Sequence, residues 1–280
     1  MPKTYAVIGD PIAHSLSPVI HNKIFQFLGD HDRVYIALHI TPRQLAAAVD
    51  IMRANFEGFN VTIPHKQAII PFLDELTPEA RRYGAVNTVK REGRRLIGHN
   101  TDGQGFVAGF QGAGWQVAGS RVLLIGAGGA ARVAAHELIL LGCELTIANR
   151  TVTAAQALAE ELERHYPGIT VSAVPIHGAV HGHFEFVVNA TPVGMGDLIE
   201  LSPIDLEELH GVRYVYDLIY NPSQTRLLRQ GQELGCAVLN GLPMLVFQAA
   251  LADQFWLGKH ITGEMLTEVM IMLEEMNGNG

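Results

Sequence analysis

Hydrophobic positions follow two periods along this chain, and their alternation predicts a mixed α/β protein. Short apolar runs typical of strands recur up to about residue 100, at Tyr5–Ile8, Val34–His39, Phe59–Ile63, Ala85–Lys90 and Arg95–Ile97. Apolar residues spaced three and four apart predict helices from Ser17 to about Leu28 and up to about Asn55. Ser17 is the expected N-cap of the first helix, Thr41-Pro42-Arg43-Gln44 forms a capping box for the second, and Glu92-Gly93 predicts a hairpin turn.

After Gly119, strand and helix patterns alternate regularly. The predicted strands are Arg121–Ile125, Glu144–Ala148, Thr170–Val174, Phe186–Asn189 and Tyr214–Ile219, with helices at Ala130–Leu141 and Ala154–His165. This alternation is typical of a doubly wound parallel sheet, because parallel neighbours need crossover connections. A domain boundary is expected near Asn100 to Asp102, and the segment after Gly241 predicts two helices, Leu245–Leu257 and Gly263–Met276.

Composition and charge narrow the class of protein. The 280 residues are 48% hydrophobic and 17% charged, which excludes a disordered chain and allows one large domain or two smaller ones. The net charge of −8 provides no basic field for nucleic acid or an anionic membrane, and no run of about 18 apolar residues predicts a membrane span. Cys143 and Cys236 are expected to be reduced and buried, and the N-terminus lacks a signal-peptide pattern, which together favour the cytoplasm.

The sequence Gly126-Ala127-Gly128-Gly129-Ala130-Ala131 follows a predicted strand and opens a predicted helix, as in the phosphate-binding turn of dinucleotide-binding domains. The first glycine permits a tight turn, the second lets a pyrophosphate approach the backbone, and the small third residue lets helix pack on strand. The next strand ends in Asn149-Arg150-Thr151, where an NAD-binding chain usually has a carboxylate for the ribose hydroxyl. Arg150 can instead bind a 2′-phosphate, so the sequence favours NADP.

Several separated motifs follow one another along the chain: Ser15-Leu16-Ser17-Pro18, Asn60-Val61-Thr62-Ile63-Pro64-His65-Lys66, Asn87-Thr88, Asn100-Thr101-Asp102-Gly103, Asp217-Leu218-Ile219-Tyr220-Asn221-Pro222 and Gly241-Leu242-Pro243-Met244. With the Gly-rich turn, they make nearly the whole chain resemble the shikimate dehydrogenase family. These NADP-dependent enzymes interconvert 3-dehydroshikimate and shikimate on the route to chorismate and the aromatic amino acids. The resemblance implies an N-terminal α/β substrate-binding and catalytic domain, residues 1–101 with the C-terminal helices 242–280, and a Rossmann-type NADP-binding domain, residues 102–241.

The resemblance also implies roles for individual residues. Lys66 and Asp102 match the catalytic pair, with Lys66 transferring the proton and Asp102 orienting it and binding substrate. Further family contacts to the substrate carboxylate or hydroxyls match Ser15, Ser17, Thr62, Asn87, Tyr220 and Gln248. Family contacts to the cofactor match Gly126, Ala127, Gly128, Gly129, Ala130, Asn149, Arg150, Thr151, Thr191, Leu218 and Gly241. The expected ligands are NADP and a small hydroxy acid, without nucleic acid or membrane, and the resemblance is compatible with a homodimer.

Three alternatives stay open. Ala154 stands where the family commonly has a second basic residue, so a quinate/shikimate dehydrogenase with relaxed NAD/NADP use is a close alternative. Ser17 favours shikimate, because quinate-preferring relatives tend to have threonine there. A non-catalytic ligand sensor on the same fold is the second alternative, although such a chain is expected to lack Lys66 or Asp102. The third is zinc at His177, His181 and His183, but no nearby cysteine or carboxylate pair completes four ligands, and no metal is expected.

Overall fold

The computed structural model describes residues 2–176 and 182–278 of the chain. The backbone divides into two compact units. Among the described residues, the first comprises residues 2–104 together with Val246–Glu275, and the second comprises those of Gly105–Leu245 with residues 276–278. The chain therefore leaves the first unit, builds the second, and returns to complete the first.

The α-helices of the described residues are numbered in chain order. They are α1 (Ser17–Phe27), α2 (Leu45–Asn55), α3 (His65–Ala68), α4 (Pro78–Tyr83), α5 (Asp102–Gly112), α6 (Gly129–Leu140), α7 (Val152–His165), α8 (Arg226–Glu233), α9 (Leu242–Leu257) and α10 (Gly263–Gly278). None of these helices reaches the length and apolar character that a membrane crossing requires.

A six-stranded mixed sheet forms the centre of the first unit. Its strands are β1 (Lys3–Gly9), β2 (Arg33–His39), β3 (Gly58–Val61), β4 (Glu75–Leu76), β5 (Thr88–Glu92) and β6 (Arg95–His99), in the order β2-β1-β3-β5-β6-β4. Strand β1 pairs in parallel with β2 and β3, whereas β5 runs antiparallel to both β3 and β6. Gly93, in the predicted turn between β5 and β6, has a left-handed φ of 63° that favours glycine.

Hydrophobic clusters cover both faces of this sheet, because alternate side chains of a strand point to opposite faces. From β1, Ala6 and Ile8 belong to one cluster and Tyr5 and Val7 to the other. Trp256 of α9 belongs to the second cluster and donates its indole N–H to the Val89 carbonyl at 2.9 Å. A Cβ added at Gly58 would lie 2.5 Å from the Trp256 indole nitrogen, so glycine at that position lets the ring approach β3.

The second unit contains a six-stranded, fully parallel sheet. Its strands are β7 (Arg121–Ile125), β8 (Glu144–Asn149), β9 (Ser172–Pro175), β10 (Phe186–Asn189), β11 (Tyr214–Asp217) and β12 (Ala237–Leu239), in the order β12-β11-β10-β7-β8-β9. This is the doubly wound order of dinucleotide-binding domains, so the predicted Rossmann-type fold is confirmed. The winding reverses between β7 and β10, and ligands bind beyond the carboxyl ends of the strands at such a switch point.

Strand β7 shows why the pattern of this half is nearly continuous in apolar residues. Val122 and Leu124 belong to one hydrophobic cluster, while Leu123 and Ile125 belong to another. A strand of a parallel sheet with apolar packing on both faces has no solvent-facing side, and its sequence therefore does not alternate with polar residues.

The structure corrects one prediction at the start of α1 and confirms another before α2. Ser17 is the first residue of α1, and Leu16 is the N-cap. The Ser17 N–H donates to the Ser15 hydroxyl oxygen at 3.3 Å. The capping box of Thr41 and Gln44 is confirmed, and it opens a short 3₁₀ turn before α2.

The hydrophobic pattern does not indicate α3, α4, α5, α8 or β4. Most of these elements are too short for a periodic signal. Helix α5 has 11 residues, but four of them are glycines, which are poor helix formers and leave few side chains to form a pattern.

Candidate active site

Strand directions bring three polar residues of the first unit to one edge of its sheet. Strand β3 leads into α3, which holds Lys66, and β6 leads into α5, which begins at Asp102. Because β5 runs antiparallel to both, Asn87, which directly precedes β5, lies at the same edge. Backbone bonds fix these segments: the Val86 N–H donates to the Lys66 carbonyl at 2.8 Å and the Asn87 N–H to the His99 carbonyl at 3.1 Å.

Lys66 and Asp102 form an ion pair with 2.6 Å between Nζ and Oδ2. The side chains are 28% and 12% exposed, so water reaches the lysine more readily than the carboxylate. The Asp102 N–H donates to Asn100 Oδ1 at 3.0 Å, and the Asn100 amide donates to the Ala85 carbonyl at 2.9 Å, which anchors the start of α5. The predicted catalytic pair is therefore in contact within one unit.

The Asn87 amide is the centre of the surrounding hydrogen bonds. Its oxygen accepts from the Thr101 N–H at 2.9 Å and from the Thr88 hydroxyl at 2.8 Å. Its nitrogen donates to Asp102 Oδ1 at 2.8 Å and to Gln248 Oε1 at 3.4 Å. The Thr101 N–H can only donate, so it fixes which end of the Asn87 amide is the oxygen. Asn87 thus joins two other predicted substrate contacts, Asp102 and Gln248, and Asp102 in turn pairs with Lys66.

Ser15, Ser17 and Thr62 lie on segments that leave the sheet at one edge, since they follow the parallel strands β1 and β3. All three are half-buried, and the two serines flank the start of α1. The Thr62 N–H donates to the Ile8 carbonyl at 2.9 Å, which holds the segment after β3 against β1. These three residues are therefore partly exposed.

Tyr35 and Asn60, two buried residues to which the sequence analysis gave no role, join these groups. The Tyr35 hydroxyl donates to Asn60 Oδ1 at 2.6 Å, and the Asn60 amide donates to Thr88 Oγ1 and to the Asn87 carbonyl, both at 3.0 Å. The Ser17 side chain hydrogen-bonds Tyr35, and burial raises the pKa of Tyr35 well above its usual value, so its hydroxyl stays protonated. The signal for Asn60 is a lone polar residue inside an apolar strand.

The Gly-rich turn lies at the switch point of the second sheet. Gly126 has a φ of 115°, and an added Cβ would lie 3.1 Å from Thr191 Cγ2 in the loop after β10, so both conformation and space favour glycine. At Gly128 and Gly129, by contrast, an added Cβ meets nothing within 4 Å. Gly128 is the N-cap of α6 and makes no side-chain cap. An open helix start with free N–H groups is what a pyrophosphate needs, so these residues fit NADP.

A methyl group at Gly128 is expected to weaken cofactor binding without loss of stability. Gly128 has φ −85° and ψ −169°, which alanine adopts freely, and its Cβ would clash with nothing in the protein. The Cβ would instead fill space that the prediction assigns to the pyrophosphate. We expect Gly128→Ala to raise the KM for NADP⁺ at least about tenfold, with Tm within about 2 °C of wild type, in steady-state kinetics and calorimetry.

Gly112→Ala is the matched control for Gly128→Ala. An added Cβ at Gly112, the last residue of α5, also meets nothing within 4 Å. This variant should bind NADP⁺ like wild type. An unchanged KM for NADP⁺ in Gly128→Ala would exclude the turn as the pyrophosphate site.

The segment Asn149-Arg150-Thr151 connects β8 to α7 beside the Gly-rich turn. Asn149 Nδ2 donates to the Thr151 carbonyl at 2.9 Å, and Thr151 is the N-cap of α7. Arg150 is exposed, and within the described residues its guanidinium has no ion pair. Ala154 is exposed in the first turn of α7, so this segment offers a phosphate one cation.

The remaining predicted contacts lie on the loops after β10 and β11. Thr191 lies on the loop after β10. Leu218 and Tyr220 lie on the loop after β11, and Gly241 approaches it closely: an added Cβ would lie 2.0 Å from the Leu218 carbonyl oxygen. The Gly241 N–H donates to the Ile219 carbonyl at 2.9 Å. Burial raises the pKa of Tyr220, so its hydroxyl remains a donor at neutral pH.

Asn189 and Asp217 are two polar residues of this unit to which the sequence analysis gave no role. They end β10 and β11, stand opposite each other in the parallel register, and are fully buried. Each precedes a loop with predicted cofactor contacts. The signal that could have found them is a polar residue at the end of an otherwise apolar strand, on the side where ligands bind.

The zinc alternative falls partly on residues that the structure does not describe. His177 and His181 lie outside the described residues. His183 lies 3.8 Å from a carboxylate oxygen of Glu185. Over residues 2–176 and 182–278, no group of three or more His, Cys, Asp or Glu side chains could hold a metal ion.

Comparison with known families gives two matches along the sequence. Residues 7–89 match the family described as "Shikimate dehydrogenase substrate binding domain", and residues 111–191 match "Shikimate / quinate 5-dehydrogenase". An enzyme of Moorella thermoacetica, named shikimate dehydrogenase (NADP(+)), is 41% identical over 272 residues. That match covers 95% of this chain and 91% of the relative.

Solved structures of similar proteins match elements of both units. Shikimate 5-dehydrogenase from Thermus thermophilus, in complex with NADP(H) and shikimate, is 37% identical with a TM-score of 0.85, over 96% of this chain and 99% of that one. Shikimate 5-dehydrogenase from Listeria monocytogenes, in complex with shikimate and NAD, is 33% identical with a TM-score of 0.86, over 96% of both chains.

Proposed function

The chain belongs to the shikimate dehydrogenase family, and from that premise we propose that it catalyses the reversible NADPH-dependent reduction of 3-dehydroshikimate to shikimate, a step toward chorismate and the aromatic amino acids. The contact that carries this proposal joins Lys66 and Asp102 at 2.6 Å across 36 residues of sequence. It supplies the proton-transfer group that reduction of a ketone requires. A non-catalytic sensor would have no need of it.

The substrate is assigned to the domain of residues 1–101 with the C-terminal helices 242–280. Ser15 and Ser17 would hold its carboxylate through neutral hydroxyl donors near the start of α1, which suits an acidic protein. The substrate hydroxyls are assigned to Thr62, Asn87 and Gln248 of this domain. Asp102, which directly follows residue 101, and Tyr220, which lies in residues 102–241, are assigned to them as well. The Asn87–Gln248 contact is 3.4 Å, the longest around the Asn87 amide, so it is the one that a substrate hydroxyl replaces most easily.

Lys66 carries the proton in both directions. In reduction, the carbonyl oxygen of 3-dehydroshikimate needs a proton, which Nζ of Lys66 donates; in oxidation, Nζ takes the proton of the shikimate hydroxyl. Asp102 holds Nζ through one oxygen, and Asn87 holds the other oxygen of Asp102 at 2.8 Å, so the amine is kept in place. NADP, when bound, supplies or accepts the hydride.

The cofactor is assigned to the domain of residues 102–241. The turn Gly126–Ala130 would hold the pyrophosphate, Asn149, Arg150 and Thr151 the 2′-phosphate, and Thr191, Leu218 and Gly241 the nicotinamide side. The exposed Arg150 is the one cation of its segment, so discrimination against NAD is expected to be modest. The NAD complex of the Listeria relative is compatible with this expectation.

Arg150→Ala is expected to weaken NADP⁺ binding and leave NAD⁺ binding almost unchanged. Loss of a charge-assisted contact costs about 1.5 to 3 kcal/mol, or about one to two decades in affinity. Titration of the variant with each cofactor measures the effect. Arg164→Ala, at an exposed arginine near the end of α7, is the control and should match wild type. Equal losses of affinity for NADP⁺ and NAD⁺ would mean that Arg150 does not bind the 2′-phosphate.

The proposed reaction is tested by incubating the pure protein with shikimate and either NADP⁺ or NAD⁺ while following the absorbance of the reduced nicotinamide. We expect higher kcat/KM with NADP⁺ than with NAD⁺, and with shikimate than with quinate. Quinate turnover equal to or faster than shikimate turnover would favour the quinate/shikimate alternative. No turnover of either acid would favour the sensor.

We also propose a cytoplasmic location and a homodimer, the latter on the family resemblance alone. Cys143 and Cys236 are unpaired and half-buried, and each thiol donates to a backbone carbonyl, at Val117 and Val212 respectively. Reduced thiols of this kind suit a reducing compartment. Light scattering tests the homodimer, for which we expect twice the 30.5 kDa of one chain.

A further inference from the structure

One buried carboxylate connects three elements at the carboxyl edge of the second sheet. Asn189 of β10 donates to Asp217 Oδ1 at 2.9 Å, and Thr225, the N-cap of α8, donates to Asp217 Oδ2 at 2.7 Å. Asn189 and Asp217 are fully buried and Thr225 is 1% exposed. We call these three residues the Asp217 cluster.

The Asp217 cluster holds the backbone of both loops that follow β10 and β11. Asn189 Oδ1 accepts from the Thr191 N–H at 3.0 Å and from its hydroxyl at 2.7 Å. Asp217 Oδ1 accepts from the Ile219 N–H at 3.1 Å, and the Ile219 carbonyl accepts from the Gly241 N–H at 2.9 Å. Each loop is therefore fixed by a side chain of the cluster.

We propose that Asp217 is a positioning residue for NADP, whose carboxylate holds the loops of Thr191 and Leu218 in the conformation that receives the cofactor. Asp217 would act through these loops and not by touching the cofactor itself. The inference rests on the proposed function, because that proposal assigns both loops to the nicotinamide side.

The carboxylate is held in surroundings that disfavour its charge. Burial raises the pKa of Asp217 to about 6, although Thr225, Ile219 and Asn189 all donate hydrogen bonds to it. These groups are uncharged, and β12, on the other side of β11, contributes only Ala237–Leu239. A buried charge that is held only by neutral partners destabilises the fold.

The two arginines of α8 donate to backbone carbonyls and not to the Asp217 carboxylate. Arg226 donates to the Glu200 carbonyl at 3.1 Å and Arg229 to the Gln224 carbonyl at 3.0 Å. Asparagine would fill the same space as Asp217 without burying a charge. A role in positioning the two loops therefore explains the Asp217 carboxylate better than a contribution to stability does.

Asp217→Asn tests the proposal directly. The asparagine oxygen can accept from Ile219 and Asn189 while its NH₂ faces Thr225, but charge-assisted hydrogen bonds are about twice as strong as neutral ones. We expect the Kd for NADP⁺ at pH 7.5 to rise about five- to tenfold, with no fall in Tm, since the buried charge is gone. Calorimetric titration of the full chain measures Kd, and Asp50→Asn, at an exposed aspartate of α2, should match wild type.

The pH dependence separates positioning from a merely structural role. As pH falls through about 6, Asp217 of the wild type takes up a proton and becomes neutral, like asparagine. The ratio of the Kd of Asp217→Asn to that of wild type should therefore fall toward one at about pH 5. The cofactor phosphate titrates in both proteins and cancels in the ratio. A ratio that is the same at both pH values, or no difference at pH 7.5, would overturn the proposal.

Thr225→Val provides an independent variant if Asp217→Asn folds poorly. Loss of the hydroxyl donor raises the pKa of Asp217 further, so the ratio of its Kd to that of wild type should be largest between about pH 6 and 7. A ratio without such a maximum contradicts the proposal. These Kd measurements need no shikimate, so they test the role of Asp217 separately from the reaction. If the Kd ratios behave as expected but the wild-type protein does not oxidise shikimate, the proposed reaction is refuted and the inference about Asp217 is supported.

Discussion

Lys66→Ala is expected to lower kcat for shikimate oxidation at least about a hundredfold, while the KM for shikimate stays within about threefold of wild type. The substitution removes the group that takes the hydroxyl proton but leaves Ser15, Ser17 and Asn87 in place to bind the substrate. General acid–base groups typically contribute about a hundredfold to ten-thousandfold to the rate. Steady-state kinetics with saturating NADP⁺ measures both constants.

Two further lysine variants make this test specific. Lys66→Arg keeps a positive charge but cannot give up its proton near neutrality, so we expect its kcat to be as low as that of Lys66→Ala. Lys3→Ala removes a lysine of β1 that is 48% exposed and 3.9 Å from Asp32, and it should behave as wild type. Near-normal turnover in Lys66→Ala would remove Lys66 from the mechanism.

Gly241→Ala is expected to have the second-largest effect, because no space exists for a side chain. An added Cβ would lie 2.0 Å from the Leu218 carbonyl oxygen and 2.5 Å from its carbonyl carbon, and a backbone cannot move aside as a flexible side chain can. Overpacking of this kind typically costs about 1 to 3 kcal/mol, which in a chain of this size lowers Tm by several degrees. Displacement of the Leu218 loop should also raise the KM for NADP⁺ at least about tenfold.

Gly263→Ala is the control for this crowding. Gly263 opens α10, and an added Cβ there meets nothing within 4 Å, so its Tm and kinetic constants should equal those of wild type. Differential scanning calorimetry and steady-state kinetics on the two variants report stability and cofactor use separately. Wild-type stability in Gly241→Ala would show that the loop after β11 yields without cost.

The second sheet could be predicted well from the sequence, because its signals are local. The turn at Gly126, the helix behind it and the absence of a carboxylate at Arg150 all lie within about one βαβ unit, where strand and helix periods are easy to separate. The error at Ser17 has the same local origin. A serine before Pro18 is typical of an N-cap, but Ser15, two residues earlier, accepts the backbone N–H, and the helix begins one residue sooner.

The cluster around Lys66 could be predicted only through the family resemblance. Lys66 and Asp102 are 36 residues apart, and Asn87 and Gln248 are 161 apart, so no local pattern joins them. Their proximity depends on the antiparallel insertion of β5 and on the return of the chain to the first unit. The buried pair of Asn189 and Asp217 was missed for a related reason, since its partners come together only through the register of two parallel strands.

The return of residues 246–275 to the first unit sets the order in which this protein can be completed on the ribosome. All of Gly105–Leu245 emerges before Trp256, whose indole N–H meets the Val89 carbonyl of β5. A nascent chain that has released only its first half therefore carries an apolar sheet face on which Phe25 of α1 already packs but Trp256 of α9 does not. The unit assigned to the cofactor can assemble during synthesis, whereas the unit assigned to the substrate must wait for α9.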